Sequence, residues 1–388
     1  MSKLSQPRIV IAGCGLGGMI TALSLANANI AVTILEKRST VDPKFSADPR
    51  TTALNATSKE FLDKSRIWPQ IERFFAPIND IYVVDNKSND MLHFASQATS
   101  EQKVMGYMIK NDIFRQKILE LTKSNKLITI IDQVDYSAIS ESDHVRIKLG
   151  SDKEDMIADL LIVCDSAKSS IASQYFAKKI DKQYNQHALV FNVCHEKSHE
   201  YGAVEHFLPQ GPFAILPLQD LHHSSIVWTI PTRLNEVLMS MGPEEFLYNV
   251  EQNFGQFLGK IEIIDEVGSF SLRAYVAKSM VHNRIVLAAD SAHVIHPLAG
   301  QGLNQGIQDI ENLTQKIVIY GIDDKALSMY EKERLQDNMK MYRITDGFNM
   351  IFSNNSKLLF FFRQIAFKLL EKFTPLKALF VSYAMGKR

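Results

Sequence analysis

What the chain lacks narrows its function before any motif is read. Its 388 residues carry 43 Lys and Arg against 43 Asp and Glu, so no field of one sign draws it to a nucleic acid. The three cysteines, Cys14, Cys164 and Cys194, lie far apart in apolar runs. They form neither a disulfide framework nor a metal-ligand cluster, and they fit a reducing compartment, the cytoplasm. No stretch reaches the ~18 uninterrupted apolar residues of a membrane span, so the chain is expected to be soluble or at most peripheral on a membrane. There is no internal repeat and no low-complexity segment. The apolar opening at 9–26 imitates a secretory leader, but its glycines have another explanation and no stop-transfer pattern follows. The rest, 46% hydrophobic and 22% charged, is ordinary for a globular protein of two or three domains.

The chain is organised around 8–37. A β-branched run, Ile9-Val10-Ile11, leads into Gly13-Cys14-Gly15-Leu16-Gly17-Gly18, then into an Ala/Leu-rich helix to about 28, and a second strand at 31–35 ends on Glu36. Gly13 permits the tight turn, Gly15 lets backbone approach a pyrophosphate, and Gly18 lets the helix pack on the sheet, while the helix N-terminus offers free N–H groups to the anion. Glu36 stands where a carboxylate accepts the hydroxyls of an adenosine ribose. The glycine pattern alone is weak, but strand, helix, second strand and terminal acid all sit at the expected distances. They point to a dinucleotide without choosing between NAD and FAD.

After Glu36 the chain is polar up to Asp48-Pro49-Arg50-Thr51-Thr52-Ala53-Leu54, where a helix is expected to start and run to about 65. Arg50 is placed to reach a phosphate or to stay solvated. Strands are expected at 81–84, 91–94 and 104–109, and Asn111 is expected to cap a helix with apolar residues at helical spacing. Further strands fall at 127–131, 145–149 and 160–164, the last continuous enough to be a buried parallel strand ending on Asp165. From 186 to 230 the character changes: strand candidates at 188–193, 204–208, 213–216 and 225–230 follow one another with turns between, which suggests an antiparallel sheet. Helices at 233–241 and 243–257 precede a return to the first pattern, a buried strand at 284–290 that ends on Asp290.

Asp290 opens a second informative stretch, through His293, His296 and Pro297 to Gly300-Gln301-Gly302-Leu303-Asn304 and a helix from about 305. An acid at the end of a parallel strand, followed by a Gly-rich turn at a helix N-terminus, makes a second cofactor-facing edge. A flavin needs such an edge, for its ribitol hydroxyls and for the anionic end of its reduced ring; a nicotinamide does not. His293 and His296 lack a third ligand for a metal.

These residues carry a resemblance. The opening fingerprint, Cys164-Asp165, and the run from Ala289-Asp290-Ser291-Ala292-His293 to Gly300-Gln301-Gly302-Leu303-Asn304 resemble the class A FAD monooxygenases, the group of para-hydroxybenzoate hydroxylase. Asp48 to Leu54 with Trp68, Lys110-Asn111-Asp112, and Glu205-His206-Phe207-Leu208-Pro209 leading to Val227-Trp228-Thr229 resemble, within that group, the ubiquinone-biosynthesis hydroxylases. So does the closing Ala384-Met385-Gly386, and the likeness spans almost the whole chain.

The resemblance implies an α/β fold: a Rossmann-like FAD-binding domain (1–75, 104–182 and 271–345) with an inserted antiparallel β substrate domain (strands in 76–103, then 183–270) and basic amphipathic C-terminal helices (346–388). It implies that Gly13, Gly15 and Gly18, with Leu16 and Gly17, hold the FAD pyrophosphate. Glu36 would hold the ribose, with Lys37, Arg50, Asn111 and Val134 adding contacts, and Asp290 the ribitol. Pro297, Gly300, Gln301, Gly302, Leu303 and Asn304 would line the flavin ring. It also departs: the family's Asp-Gly pair is Asp165-Ser166, the Arg closing that motif is Ala172, and its Gly-Asp pair is Ala289-Asp290. Those departures leave the electron donor open between NAD(P)H and a redox partner protein.

The implied reaction has reduced flavin capture dioxygen as a hydroperoxide and pass oxygen to the ring of a polyprenylated phenol, in an apolar pocket. Phe213, Ile215, Leu216 and Trp228 are the expected pocket wall, or simply sheet core. No catalytic base is assigned; His206, Tyr201 and His187 are titratable residues of that domain. A flavin reductase or a non-catalytic flavin-fold protein are the alternatives. From Lys357 onward seven cations face one acid, Glu371, among Phe and Leu residues. This suits peripheral contact with the cytoplasmic face of an inner membrane, beside other quinone-biosynthesis proteins, or packing as core.

Overall fold

The computed structural model describes residues 7–85, 91–95, 104–150, 153–297 and 300–352. The basic segment from Lys357 onward lies outside the described residues. Ile9–Ala12 is the centre of a six-stranded sheet in the order Val281–His282, Ile285–Leu287, Leu160–Val163, Ile9–Ala12, Val32–Leu35, Ile128–Ile131. All neighbours are parallel except the first pair. Ile9–Ala12 and Leu160–Val163 are buried at every position, which is why they read as unbroken aliphatic runs: the sheet is covered on both faces, by helices and by a three-stranded antiparallel sheet of Met156–Ala158, Val145–Leu149 and Tyr136–Ser140 that shares its core. Because these strands run the same way, Gly13, Glu36, Asp165 and Asp290 all emerge at one edge, the carboxyl end.

A second, larger sheet takes strands from distant parts of the chain. Its order is His293–Val294, Gly268–Ala277, Lys178–His195, His223–Pro231, Gly211–Pro217, Gly202–Leu208, Asp80–Asp85, Met91–Ala95, and Ile261–Ile263 pairs beside Lys178–His195. It is antiparallel except where Gly202–Leu208 runs parallel to Asp80–Asp85; that neighbour comes from far away in sequence, so no hairpin dictates its direction. Lys178–His195 and Gly268–Ala277 run through the expected boundaries at 182/183 and 270/271, with a register shift between Gln183 and His187.

Another small sheet joins Thr51–Leu54, Gly106–Lys110 and Ala76–Ile78. Here the sequence expectation needs correcting: Thr51–Leu54 is a strand, as its two β-branched threonines favour. The helix begins at Ala56, where Asn55 accepts the Ser58 N–H at 2.9 Å. Asn111 is likewise not a cap; Lys110 occupies that position and the Asn111 side chain turns elsewhere. Trp68 is fully buried, its ring 4.8 Å from those of Phe75 and Tyr107. Such contacts contribute about 0.5–1.5 kcal/mol each and tie the short helix Trp68–Ile71 to this sheet.

Thr232–Met239 and Pro243–Phe254 are the helices expected in the second domain. The latter ends at Phe254 because Gly255 takes φ +80° and stops it. They cover one face of the larger sheet, where Phe213, Ile215 and Trp228 pack with Phe246, Val250 and Phe254.

Candidate active site

Two helix N-termini open at the carboxyl edge of the parallel sheet. At the first, Gly13 has φ +99°, and a Cβ there would lie 2.5 Å from the Asp165 Cα. A Cβ on Gly18 would lie 1.9 Å from the Gly13 carbonyl oxygen, so only glycine lets the helix Leu16–Asn27 sit this close to its strand. Gly15 caps that helix without a side-chain bond, leaving its first N–H groups unsatisfied, and a Cβ on Gly15 would meet nothing within 4 Å. The Glu36 carboxylate accepts the N–H groups of Cys14 and Arg38 at 2.9 Å each. These bonds fix the carboxylate and leave lone pairs to accept from a diol. Val134 is buried behind it and donates its N–H to the Glu36 carbonyl at 3.1 Å. Leu16 packs partly buried on the parallel-sheet core; Lys37 is exposed, its ammonium 5.4 Å from the Tyr136 ring.

Arg50 is oriented by its neighbour. Its guanidinium donates to both oxygens of Asp48, at 2.8 and 2.7 Å, and the amide of Asn111 donates to the same carboxylate at 3.4 Å while accepting from Thr52 Oγ1 at 2.6 Å. Burial works against the Asp48 charge, but the Arg50 bonds outweigh it and hold its pKa below the usual range.

The second edge is built on a charge network that the sequence does not advertise. Asp309 is fully buried and accepts from His293 Nε2 at 2.7 Å, from Arg334 Nε at 2.8 Å and from the Ala289 N–H at 3.2 Å. This network holds the turn that presents Asp290. The Asp290 side chain reaches solvent although protein surrounds it. That crowding raises its pKa, opposed by His293 and Arg50, and it has no hydrogen-bond partner among the described residues. His293 and His296 do not make a metal site: the first is held by Asp309, the second sits edge-on to the Tyr184 ring at 4.8 Å, and no metal-ligand cluster occurs among the described residues.

The helix here is Gln301–Tyr320, capped by Gly300 at φ +63°, whose N–H donates to the Pro297 carbonyl at 3.0 Å. It therefore starts four residues before the expected position. Asn304 pins the turn to the small sheet: its amide donates to Ala53 and Gly300 carbonyls at 2.8 and 3.0 Å, and its oxygen accepts the Asn55 N–H at 2.9 Å. Gln301 is buried and Leu303 packs on the parallel-sheet core. Gly302, like Gly15, has nothing within 4 Å of a Cβ.

Two of the three departures from the family pattern share a backbone feature. Ser166 has φ +119° and Ala289 φ +55°, conformations that cost a residue with a Cβ about 1–3 kcal/mol. Asp165 beside Ser166 has one buried oxygen without a partner, and burial lifts its pKa to about 6. Cys14 and Cys164 are buried thiols pushed up to about 12, and so inert as nucleophiles.

The larger sheet has two unlike faces. Phe213, Ile215 and Trp228 do not wall a pocket: they face the covering helices, and so does His206, whose Nδ1 lies 3.3 Å from the Asn253 carbonyl. His187 belongs to that face too, 3.3 Å from Thr232 Oγ1. Leu216 is on the opposite face, which looks toward the cofactor edges, and Tyr201 packs near it. The segment 49–51 crosses that face: Pro49 lies 3.3 Å from a Cβ on Gly268, Arg50 5.4 Å from the Phe270 ring, and Thr51 Oγ1 3.0 Å from Ser225 Oγ. This face is thus turned toward the segment that carries Ala53, whose Cβ lies 3.2 Å from the point where Gly300 would carry one.

Two bare backbone surfaces at helix N-termini, a clamped carboxylate, and an unpartnered one fit a pyrophosphate, a flavin ring, a ribose and a ribitol. The fold and this edge are those of an FAD-binding flavoprotein. Residues 7–345 match the FAD binding domain family. The chain is 34% identical to the ubiquinone hydroxylase UbiL of Rhodospirillum rubrum over 97% of its own length and 89% of that protein's. It is 28% identical to the 3-demethoxyubiquinol 3-hydroxylase of Escherichia coli over 98% and 99%. Among solved structures it superposes on the p-nitrophenol 4-monooxygenase PnpA of Pseudomonas putida with TM-score 0.81, 17% identity and 98% of both chains covered. The chain belongs to the family of FAD-dependent hydroxylases of ubiquinone biosynthesis.

Proposed function

We propose that this chain hydroxylates the aromatic ring of a polyprenylated phenol precursor of ubiquinone, in a chamber between the larger sheet and the Gly300 turn. The observation that carries this reading is the Thr51–Ser225 contact, which seats the open face of the sheet against the strand leading to the flavin edge. Bound FAD supplies the dioxygen chemistry. Gly13, Gly15, Leu16, Gly17 and Gly18 bind its pyrophosphate, Glu36 its ribose with Lys37, Arg50, Asn111 and Val134 near by, and Asp290 its ribitol. The turn from Pro297 through Gly300, Gln301, Gly302, Leu303 and Asn304 positions the ring. Val190, Ala214, Leu216 and Val227 give the chamber an apolar wall that orients a ring and limits water. Electrons come from NAD(P)H or a redox partner protein.

The protein works at the cytoplasmic face of the inner membrane, with other quinone-biosynthesis proteins. Among the described residues no helix is long and apolar enough to cross a membrane, but seven cations against one acid from Lys357 onward suit attraction to anionic lipid, where the lipophilic substrate resides. Expression in strains lacking each ring hydroxylase in turn tests the reading: one missing quinone intermediate is restored. Restoration of none, with the protein folded and yellow, would overturn it.

A further inference from the structure

The face of the larger sheet that looks into the chamber is apolar along one row of paired residues, with one exception. Register pairs Val190 with Val227, Val227 with Ala214, Ala214 with Glu205, and Glu205 with Val83. Glu205 therefore shares its face with aliphatic side chains, since directly paired residues point the same way. The rows on either side of it are those touched by the crossing segment, through Ser225 with Thr51 and through Phe270 with Arg50. A carboxylate here has no structural use: among the described residues Glu205 makes no hydrogen bond or ion pair, whereas its neighbour His206 points to the outer helices and is satisfied there. Glu205 is half-buried, and an acid crowded by apolar side chains without a partner is costly unless something else uses it.

Resting on the hydroxylase reading, we infer that Glu205 is a catalytic residue that accepts the hydrogen bond of the substrate's phenolic hydroxyl and takes its proton as the ring is attacked. The O–H bond breaks and a bond to Glu205 Oε forms. The electron pair left on the substrate oxygen moves into the ring as a ring carbon takes up the oxygen atom derived from dioxygen. When that carbon then loses its own proton to water, Glu205 returns the first proton to the substrate oxygen, and both the aromatic ring and the carboxylate are restored. Burial alone, with no charged group contributing, pushes the Glu205 pKa up to about 7; a base matched in this way to neutral pH transfers protons efficiently. Its neighbours on the sheet face, Val83, Ala203, Phe207 and Ala214, do not titrate, and the acid that follows on that face is Asp85, paired with Phe207.

The test uses the FAD-loaded full chain, with Glu205→Gln and Glu205→Leu. First, a short-chain phenol and its O-methyl ether are titrated by flavin fluorescence. The wild type prefers the phenol by about tenfold or more, and Glu205→Leu abolishes the preference while FAD affinity is unchanged. Second, turnover of the wild type rises with pH through a value near 7. Glu205→Gln is slower by roughly 10²-fold or more at neutral pH and recovers only as the phenol itself ionises. An unchanged preference or an unchanged pH profile, in variants that bind FAD, overturns the role of Glu205. Failure of the wild type itself to hydroxylate the phenol overturns the underlying reading instead.

Discussion

The Cβ of Ala289 lies 3.0 Å from the point where Gly17 would carry one, and equally close to that point on Gly306. One methyl in a left-handed turn thus sets how closely the two cofactor-facing helices approach. Gly17→Ala should lose about 1–3 kcal/mol through overpacking. Adding Ala289→Gly should restore most of it, a coupling of at least ~1 kcal/mol. Denaturant midpoints of the four proteins check this, and additive losses would show that the contact is not limiting.

Asp290 and Glu36 should separate binding from turnover. With Asp290 as the proposed ribitol ligand, Asp290→Ala should weaken FAD by roughly 1.5–3 kcal/mol, the worth of a charge-assisted hydrogen bond. Glu36→Gln should lower FAD affinity yet leave turnover at saturating FAD nearly intact, because a ribose contact is equal in ground and transition states. Unchanged FAD affinity in Asp290→Ala, or a large loss of saturated turnover in Glu36→Gln, would place these carboxylates elsewhere.

Asp309 carries the acid sensitivity of the second edge. Burial opposes its charge, but His293 and Arg334 outweigh burial and hold its pKa below the usual carboxylate range. A depressed folded value means that the stability is fully present above the unfolded pKa of about 4 and is lost as pH falls through the folded value. Arg334→Met leaves a buried charge with less compensation and should cost about 3–5 kcal/mol at neutral pH. Asp309→Asn should be less stable at neutral pH and lose less on acidification. Chemical unfolding across the acid range reads both.

The two faces of the larger sheet predict opposite phenotypes for adjacent residues. Val227 lies on the face of Val190 and Phe270, toward the proposed substrate chamber, so Val227→Phe should raise KM for a phenol or abolish turnover while FAD binds normally. Trp228 faces the helices, and Trp228→Ala should cost about 3–5 kcal/mol in stability with KM unchanged. The reverse pattern would mean that the sheet is turned the other way.

Phe213, Ile215 and Trp228 show where sequence reading stops. The Gly13–Gly18 turn and Glu36 were legible because a strand, a turn and a helix dictate them over a few residues, and φ and close packing demand glycine there. Which way a two-sided apolar strand faces depends on partners far away in sequence, and a shift of one residue inverts it; these residues could be read as pocket wall or as core, and they are core. Asp309 and Arg334 are separated by 25 residues on different helices, and no local pattern announces such a pair. Glu205 was visible only as part of a family resemblance, until the register placed it alone among aliphatic side chains.

Membrane contact is testable apart from catalysis. Truncation before Lys357 should leave FAD bound and abolish sedimentation with anionic vesicles, and binding of the full chain should fall with salt. A full chain that ignores such vesicles at low salt, or a truncation that instead dissolves a dimer, would give the segment a structural role.

The central claim, that this chain is a hydroxylase rather than a reductase on the same fold, is tested most directly with isotopic dioxygen. Purified FAD-loaded protein, a chemical or enzymatic electron source and a short-chain phenol are incubated under ¹⁸O₂, and the product is analysed by mass. One labelled oxygen should appear in a new ring hydroxyl of each product molecule. An unlabelled or merely reduced product, formed with the flavin turning over, would contradict the account.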